Sequence, residues 1–273
     1  MIIDTHAHIG SMIGFNMTKE DVLYSMERYR IDFSLVSNIE GAEYDHQGKK
    51  LKKDCQTPQN EVFKRTLSFA REHPDKIGAL PWMKPCSELP DEEFVRLIRD
   101  NRDIVYGIKL HPFHSPIAPD DDRMEPIYRL AAEYRLPIVS HTGGNEPASV
   151  KHLYLAAKKH PELNFVMVHM GLGTDNKEAI ELIADLPNLY GDTTWVPLSS
   201  TLSALKRCGS EKILFGSDNP IDGRDTYLCN RQGDRSLYQE YFHELKALIP
   251  NSDYENIMFR NALRLFHIRI DHS

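Results

Sequence analysis

Short apolar runs rich in β-branched residues alternate with helix-patterned stretches along the whole chain, and this alternation limits the fold more than any other feature. Eight runs predict strands, at residues 2–8, 32–38, 77–83, 104–111, 137–141, 164–169, 189–194 and 213–218. Helical periodicity lies between them at residues 19–29, 60–72, 91–101, 124–134, 149–159, 176–184 and 199–208, and again at 254–266. Strands that alternate with helices form parallel sheets through right-handed crossovers.

Eight such units in 273 residues predict an α/β fold, a single (β/α)8 TIM barrel that takes up residues 1–273 as one domain. The alternative is an open, doubly wound sheet that binds a dinucleotide. That alternative is disfavoured because no Gly-x-Gly-x-x-Gly motif follows the first predicted strand.

Composition indicates the kind of partner. The chain is 41% hydrophobic and 27% charged with a net charge of -7, and it has no basic stripe joined to aromatic residues. These values argue against nucleic acid or an anionic membrane and favour a small-molecule substrate, with homo-oligomerisation left open. No apolar run approaches the roughly 18 residues of a membrane span, and the first strand leaves no room for a signal peptide, which predicts a cytoplasmic protein. The four scattered cysteines are expected to be reduced thiols.

Histidines at strand ends point to the chemistry. Side chains two residues apart in a strand face the same side, so His6 and His8 are expected to point together into the barrel. Other predicted strands carry comparable groups at the same end: Lys109, His141, His169 and Asp218. The carboxyl ends of barrel strands are where active sites form, so these six side chains are predicted to converge.

Any one of these histidines could simply cap its strand by bonding a backbone carbonyl. All of them together cannot be explained in that way, because several imidazoles, a lysine and a carboxylate buried without compensation would each cost several kcal/mol. Imidazole and carboxylate are ligands of zinc and similar divalent ions. The pattern therefore predicts a divalent metal site, with zinc preferred and either one or two ions.

A family resemblance rests on these same residues. The order Asp4-Thr5-His6-Ala7-His8, His141, His169 and Asp218 on strands one, five, six and eight resembles the amidohydrolase superfamily. The sequence GIKLHP at residues 107–112 and the ending NIMFRNALRLF at residues 256–266 resemble its amidohydrolase-related branch of compact barrels. The resemblance covers nearly the whole chain.

The resemblance implies specific ligands. His6, His8 and Asp218 would hold a metal ion. In a one-ion site His141 would be a further ligand and His169 would activate water. In a two-ion site His141 and His169 would hold the second ion, with a carboxylated Lys109 as the bridge. Asp218 would accept a proton from metal-bound hydroxide and pass it to the leaving group, so Asp218 and His169 are the catalytic candidates.

Substrate contacts are predicted around this centre. His111 shares its strand face with Lys109 one step nearer the solvent, and His114 on the following loop is a weaker candidate. Trp195, at the end of the seventh predicted strand, is either an aromatic wall of the pocket or ordinary packing. Asp4 either orients a histidine ligand or is a buried aspartate satisfied by nearby backbone.

Two long connections, 39–59 and 219–236, follow strands and should lie on the catalytic face. The second carries Arg224, Arg231 and Arg235, which are suited to bidentate capture of an anionic substrate. The alternative is that these arginines pair with acidic residues of their own loop.

Three functions follow in order of preference. The first is a metal-dependent hydrolase that uses metal-bound hydroxide to cleave a small amide, lactone or ester, with an anionic substrate favoured. The second is a metal-dependent decarboxylase or hydratase of the same superfamily. The third is a catalytically inactive barrel that only binds a ligand, which is disfavoured because every ligand position holds a competent residue.

Overall fold

A barrel of parallel strands forms the centre of the molecule, and the computed structural model describes it through residues 1–230 and 237–269. The strands are β1 (Ile3–Met12), β2 (Phe15–Met17), β3 (Phe33–Asn38), β4 (Ile77–Ala79), β5 (Ile108–Leu110), β6 (Ile138–Gly143), β7 (Phe165–Leu172), β8 (Leu189–Asp192) and β9 (Ile213–Leu214). All eight predicted strands are present. The additional strand, β2, pairs antiparallel with β1 and lies outside the barrel order.

The barrel is closed by backbone hydrogen bonds at two seams. Strands β1, β3 and β4 form one parallel set, and β5 to β9 form the other. The Lys109 backbone N–H donates to the Pro81 carbonyl over 2.8 Å and joins β5 to the chain after β4. The Asp218 N–H donates to the His6 carbonyl, also over 2.8 Å, and joins the chain after β9 to β1. The predicted TIM barrel is therefore confirmed.

Helices lie between the strands within one or two residues of the predicted limits. They are α1 (Lys19–Tyr29), α2 (Gln59–Glu72), α3 (Glu92–Asp100), α4 (Glu125–Tyr134), α5 (Val150–Lys159), α6 (Lys177–Asp185) and α7 (Leu198–Cys208). Side-chain caps fix some of these starts: Thr18 accepts a hydrogen bond from the Asp21 N–H at the start of α1, and Asp91 accepts one from the Phe94 N–H at the start of α3.

The C-terminal part of the chain is helical, as predicted, and covers one end of the barrel. Residues 251–266 form a helix with a π-helical turn over Asn256–Arg260. Its Ala262 and Phe266 belong to the same apolar cluster as Phe33 and Val166 of the strands. Phe266 also approaches Gly107, which precedes β5, so this helix covers the amino-terminal end of the barrel. The opposite, carboxyl-terminal end stays available for a site.

A hairpin at that opposite end was not predicted. The first strand was expected to end at residue 8, yet β1 continues to Met12, turns through Ile13 and Gly14, and returns as β2. Gly14 has φ +88°, a left-handed conformation that glycine adopts without strain. None of the helices described here is both long and apolar enough to cross a membrane. The four cysteines, all among the described residues, form no disulfide bonds.

Candidate metal centre

Four of the predicted ligands meet at one point inside the carboxyl-terminal end of the barrel. The Nε2 atom of His6 lies 2.9 Å from His8 Nε2, 2.7 Å from Lys109 Nζ and 3.1 Å from Asp218 Oδ1. His8 Nε2 is 3.0 Å from the same Asp218 oxygen. All four side chains are buried. Residues from β1, β5 and the chain after β9 thus present nitrogen and oxygen atoms to a shared centre.

The two remaining predicted histidines extend this centre. His169 Nε2 lies 3.8 Å from Asp218 Oδ2, and the ligand atoms of His6, His169 and Asp218 all lie within 4.8 Å of one another. The ring of His141 is 4.7 Å from the ring of His169. Its Nε2 atom donates to the Gly143 carbonyl over 3.2 Å, which leaves Nδ1 as the atom of His141 that could bind a metal.

Three of the imidazoles are oriented by the nitrogen that faces away from the centre. His169 Nδ1 donates to the Thr194 carbonyl over 3.1 Å, and His6 Nδ1 lies 3.3 Å from the Thr194 hydroxyl. That hydroxyl donates to Asp192, so it accepts from His6. His8 Nδ1 is 2.9 Å from the Ser37 hydroxyl. A neutral imidazole with a protonated Nδ1 presents a lone pair on Nε2, so the contacts of His6 and His169 direct lone pairs to the centre.

The charges of the cluster suit a cation. Burial, and then the charge of Lys109, holds the pKa of His6 well below its ordinary value. Burial also lowers the pKa of His169 to about 4 and the pKa of Lys109 to about 8. Burial pulls the pKa of Asp218 upward, but its hydrogen bond with His8 and the charge of His169 lower it overall. Neutral imidazoles around an ionised carboxylate are the donor set of a divalent metal ion, and these residues therefore fit one.

Unusual backbone geometry places the site residues. His169, Asp218 and Trp195 have φ values of +68°, +66° and +56°, which are left-handed conformations that cost a non-glycine residue about 1–2 kcal/mol. Tertiary hydrogen bonds hold two of them, because the His169 N–H donates to Asp192 and the Asp218 N–H donates to His6. Nothing in the local sequence signals this conformation.

Besides Asp218, two other buried aspartates near the histidines have different environments. Asp4 accepts hydrogen bonds from Ser217, from Tyr227 over 2.7 Å and from the His6 backbone over 3.0 Å, so it contacts no imidazole ring. This is the second interpretation given above, a satisfied buried aspartate. Asp192, at the end of β8, lies 3.6 Å from His6 Nδ1 and accepts a hydrogen bond from Thr194 over 2.7 Å. Asp192 thus supports two of the candidate ligands, His6 and His169.

A cavity of about 150 Å³ opens above the centre. Its lining from the metal side is His8, His141, His169 and Asp218, and its other walls are Phe15, Met17, Ile39, His46, His111, Phe113, His114, Leu172, Trp195 and Ile221. His111 stacks on Trp82 with 4.7 Å between ring centroids and on His141 with 4.1 Å. The ring centroids of Trp195 and His169 are 5.4 Å apart. His111 and Trp195, the predicted substrate contacts, both line this cavity.

Several lining residues were not predicted. Phe15 and Met17 come from the unpredicted hairpin, and His46 comes from the 39–59 loop. His46 Nε2 donates to the Ile13 carbonyl over 3.0 Å, which ties the loop to the hairpin. The alternation of apolar residues after Gly14 was the available signal for a strand. No local signal places His46 in the cavity.

The third predicted substrate contact, Arg224, lies elsewhere. Its guanidinium forms an ion pair with Asp21 of α1 and stacks on Tyr24 with 4.8 Å to the ring centroid. It is half exposed and does not line the cavity. The structure therefore does not bring Arg224 to the cavity, because a carboxylate of another element holds the guanidinium, and the substrate contact stays a prediction. Arg231 and Arg235 lie outside the described residues.

Comparisons with known proteins concern the family and the fold of this chain. A family model described as amidohydrolase matches residues 3–268. No curated protein sequence matches the chain. Solved structures match over nearly the whole length, including amidohydrolases and decarboxylases.

Three solved decarboxylases show the extent of the likeness. A 2,6-dihydroxybenzoate decarboxylase, solved with 2,6-dihydroxybenzoate, is 16% identical with a TM-score of 0.70, over 97% of this chain and 98% of its own. A 5-carboxyvanillate decarboxylase from Sphingomonas paucimobilis is 14% identical with a TM-score of 0.72, over 98% and 99%. Another from Novosphingobium aromaticivorans, with bound manganese and 3-methoxy-4-hydroxy-5-nitrobenzoic acid, is 12% identical with a TM-score of 0.67, over 98% and 97%. At these identities the likeness shows the fold.

Proposed function

The chain belongs to the amidohydrolase family, and we propose that it is a metal-dependent decarboxylase of small aromatic carboxylic acids. From the sequence, a hydrolase is the preferred prediction and a decarboxylase is the first alternative. Several of the similar solved structures are decarboxylases, which supports that alternative. Two of them were solved with aromatic acids bound, which supports the substrate class.

The size and lining of the cavity carry the proposal. A volume of about 150 Å³ is comparable to engineered cavities that bind a single benzene ring. The walls away from the centre are aromatic and aliphatic, including Phe15, Phe113, Ile39 and Trp195. Such walls suit a flat ring. The substrate class that fits is therefore one aromatic ring.

The charge distribution orients that ring. No arginine or lysine lines the cavity among the residues that the structure describes. The substrate carboxylate would therefore lie at the metal centre, where a cation balances its charge. The rest of the ring would lie against the apolar walls.

His6, His8, His169 and Asp218 would hold the divalent ion, with His141 adjacent. When bound, the ion supplies positive charge that positions the carboxylate and stabilises negative charge as it develops. Zinc remains the predicted ion, and manganese is the ion in the Novosphingobium structure. Lys109 Nζ lies 2.7 Å from His6 Nε2, so its contact with that lone pair must be released if His6 is a ligand.

Decarboxylation needs a proton at the ring carbon that loses its carboxylate. The carbon–carbon bond breaks, its electron pair stays on the ring carbon, that carbon takes a proton, and CO2 leaves. Asp218 is the acidic side chain of the described cavity lining, so it is positioned to carry a solvent proton to this carbon. His169, 3.8 Å from Asp218 Oδ2, would orient that carboxylate.

The test is to incubate the metal-loaded protein in D2O with a panel of mono- and dihydroxybenzoates and to follow both CO2 release and the aromatic product by NMR. We expect CO2 from at least one acid and one deuterium at the carbon that carried the carboxylate. Asp218→Asn should lose at least a hundredfold in kcat, and His6→Ala should also lose metal. His243→Asn, on an exposed helix position, is the matched control.

Two results would contradict the proposal. Turnover of amides, lactones or esters with no CO2 from any aromatic acid would restore the hydrolase interpretation. Tight binding of aromatic acids without any turnover in a metal-loaded protein would favour the inactive binding barrel.

A further inference from the structure

His114 lies in the cavity wall, and hydrogen bonds fix both its backbone and its ring there. It is buried, with 4% of its surface exposed, and follows β5 in a loop that lines the cavity. Its carbonyl accepts hydrogen bonds from the N–H groups of Glu43 and Tyr44, each over 2.9 Å. Its Nδ1 atom lies 2.9 Å from the Tyr44 carbonyl. Three hydrogen bonds to one segment of the 39–59 loop thus hold both its backbone and its ring.

These contacts determine which nitrogen carries the proton. A carbonyl oxygen can only accept a hydrogen bond, so Nδ1 of His114 must be the donor to Tyr44. In the neutral ring, Nε2 then carries a lone pair. Burial lowers the pKa of His114 to about 4, which keeps the ring neutral near pH 7. His114 is therefore a fixed hydrogen-bond acceptor rather than a cation.

The Nε2 lone pair has no hydrogen-bond partner among residues 1–230 and 237–269. The rings beside His114 are Phe113 at 5.0 Å, His46 at 5.1 Å and His111 at 4.7 Å between centroids, and all three also line the cavity. Nε2 keeps some access to the cavity, so water or a ligand there can reach it and supply a donor. When no substrate is bound, water in the cavity can donate a hydrogen bond to Nε2. A substrate that displaces this water must supply a donor in its place.

We propose that His114 is a specificity-determining residue whose Nε2 atom accepts a hydrogen bond from a hydroxyl group on the ring of the substrate. The proposal rests on the proposed function, because it assumes that the carboxylate lies at the metal centre and the ring extends into the cavity. It narrows the substrate class to hydroxylated aromatic acids. A methoxy group at the same ring position offers no donor and would leave Nε2 unpaired.

Binding of matched ligands tests this independently of turnover. We would measure dissociation constants of the metal-loaded protein for benzoate, 3- and 4-hydroxybenzoate and 3- and 4-methoxybenzoate by calorimetry. The wild-type protein should bind at least one hydroxybenzoate about tenfold more tightly than both its methoxy counterpart and benzoate. The substitution His114→Asn is informative because the Asn amide N–H can still donate to the Tyr44 carbonyl, whereas the acceptor at the Nε2 position is lost.

His114→Asn should reduce the hydroxyl preference, taken as the ratio of the two dissociation constants in the same variant, to within about twofold, while His243→Asn should retain the full preference. A wild-type protein without a hydroxyl preference, or a His114→Asn protein that keeps it, would overturn the proposal. If the variant does not fold, nitrogen NMR of ¹⁵N-histidine-labelled wild-type protein gives a second test. A His114 ring protonated on Nε2 would overturn the proposal, and one protonated on Nδ1 whose Nε2 signal shifts on adding the hydroxybenzoate would support it. CO2 release from the same acids is measured separately, so failure of the decarboxylase function and failure of His114 recognition are distinguishable.

Discussion

Gly143 should be the glycine at which alanine is least tolerated near the site. It pairs with Leu172 in the β6–β7 ladder and has φ +98°. A Cβ atom there would lie 2.2 Å from the Leu172 nitrogen and 2.5 Å from its carbonyl oxygen, and both are backbone atoms that cannot rotate away. The left-handed conformation costs alanine about 1–2 kcal/mol, and overpacking against a rigid neighbour costs about 1–3 kcal/mol. Gly143→Ala should therefore destabilise the protein by about 2–5 kcal/mol.

Gly173 is a matched control on the loop after β7. It has φ +83°, but a Cβ atom there would meet nothing within 4 Å. Alanine restricts the unfolded chain equally in both variants. The difference between Gly143→Ala and Gly173→Ala therefore isolates the collision with Leu172, and we expect about 1–3 kcal/mol.

Urea unfolding followed by circular dichroism would measure both free energies. A second consequence is local, because the Gly143 carbonyl accepts the hydrogen bond from His141 Nε2. Gly143→Ala should thus also weaken metal binding, whereas Gly173→Ala should not. Equal destabilisation by the two variants would refute the steric argument.

Three further predictions concern other parts of the structure. Asp192→Asn should weaken metal affinity by about 10–100-fold in a chelator competition, because the carboxylate supports the His6 and His169 ligands; unchanged affinity would remove it from this role. His152→Gln should lower stability more at about pH 5.5 than at about pH 8.5 in urea unfolding. Burial lowers the pKa of His152, but hydrogen bonds with two carboxylates raise it overall. The stabilisation by His152 is therefore present below its unfolded-state pKa and is lost as pH rises through its folded-state pKa. An equal loss of stability at both pH values would contradict this. Asp91→Ala should cost about 1 kcal/mol by removing the cap of α3, whereas Asp91→Asn should cost less.

The sequence alone determined the barrel and the inner part of the candidate site. Apolar periodicity is a local property, so the eight strands and the helices between them followed from short windows. The same periodicity placed His6 and His8 on one strand face, and the rule that parallel strands end together brought Lys109 and Asp218 to the same point. These inferences needed only parity and strand order.

The tertiary structure decided everything that depends on contacts between distant segments. Arg224 is held by Asp21, which lies 203 positions away, and no loop-based argument could anticipate that ion pair. His46 reaches the cavity because the 39–59 loop packs against the hairpin. The tautomer of His114 depends on one carbonyl 70 positions away, at Tyr44. The side chains that could bind a metal are thus readable from the sequence. The shape of the cavity and the direction of each hydrogen bond come from packing between elements.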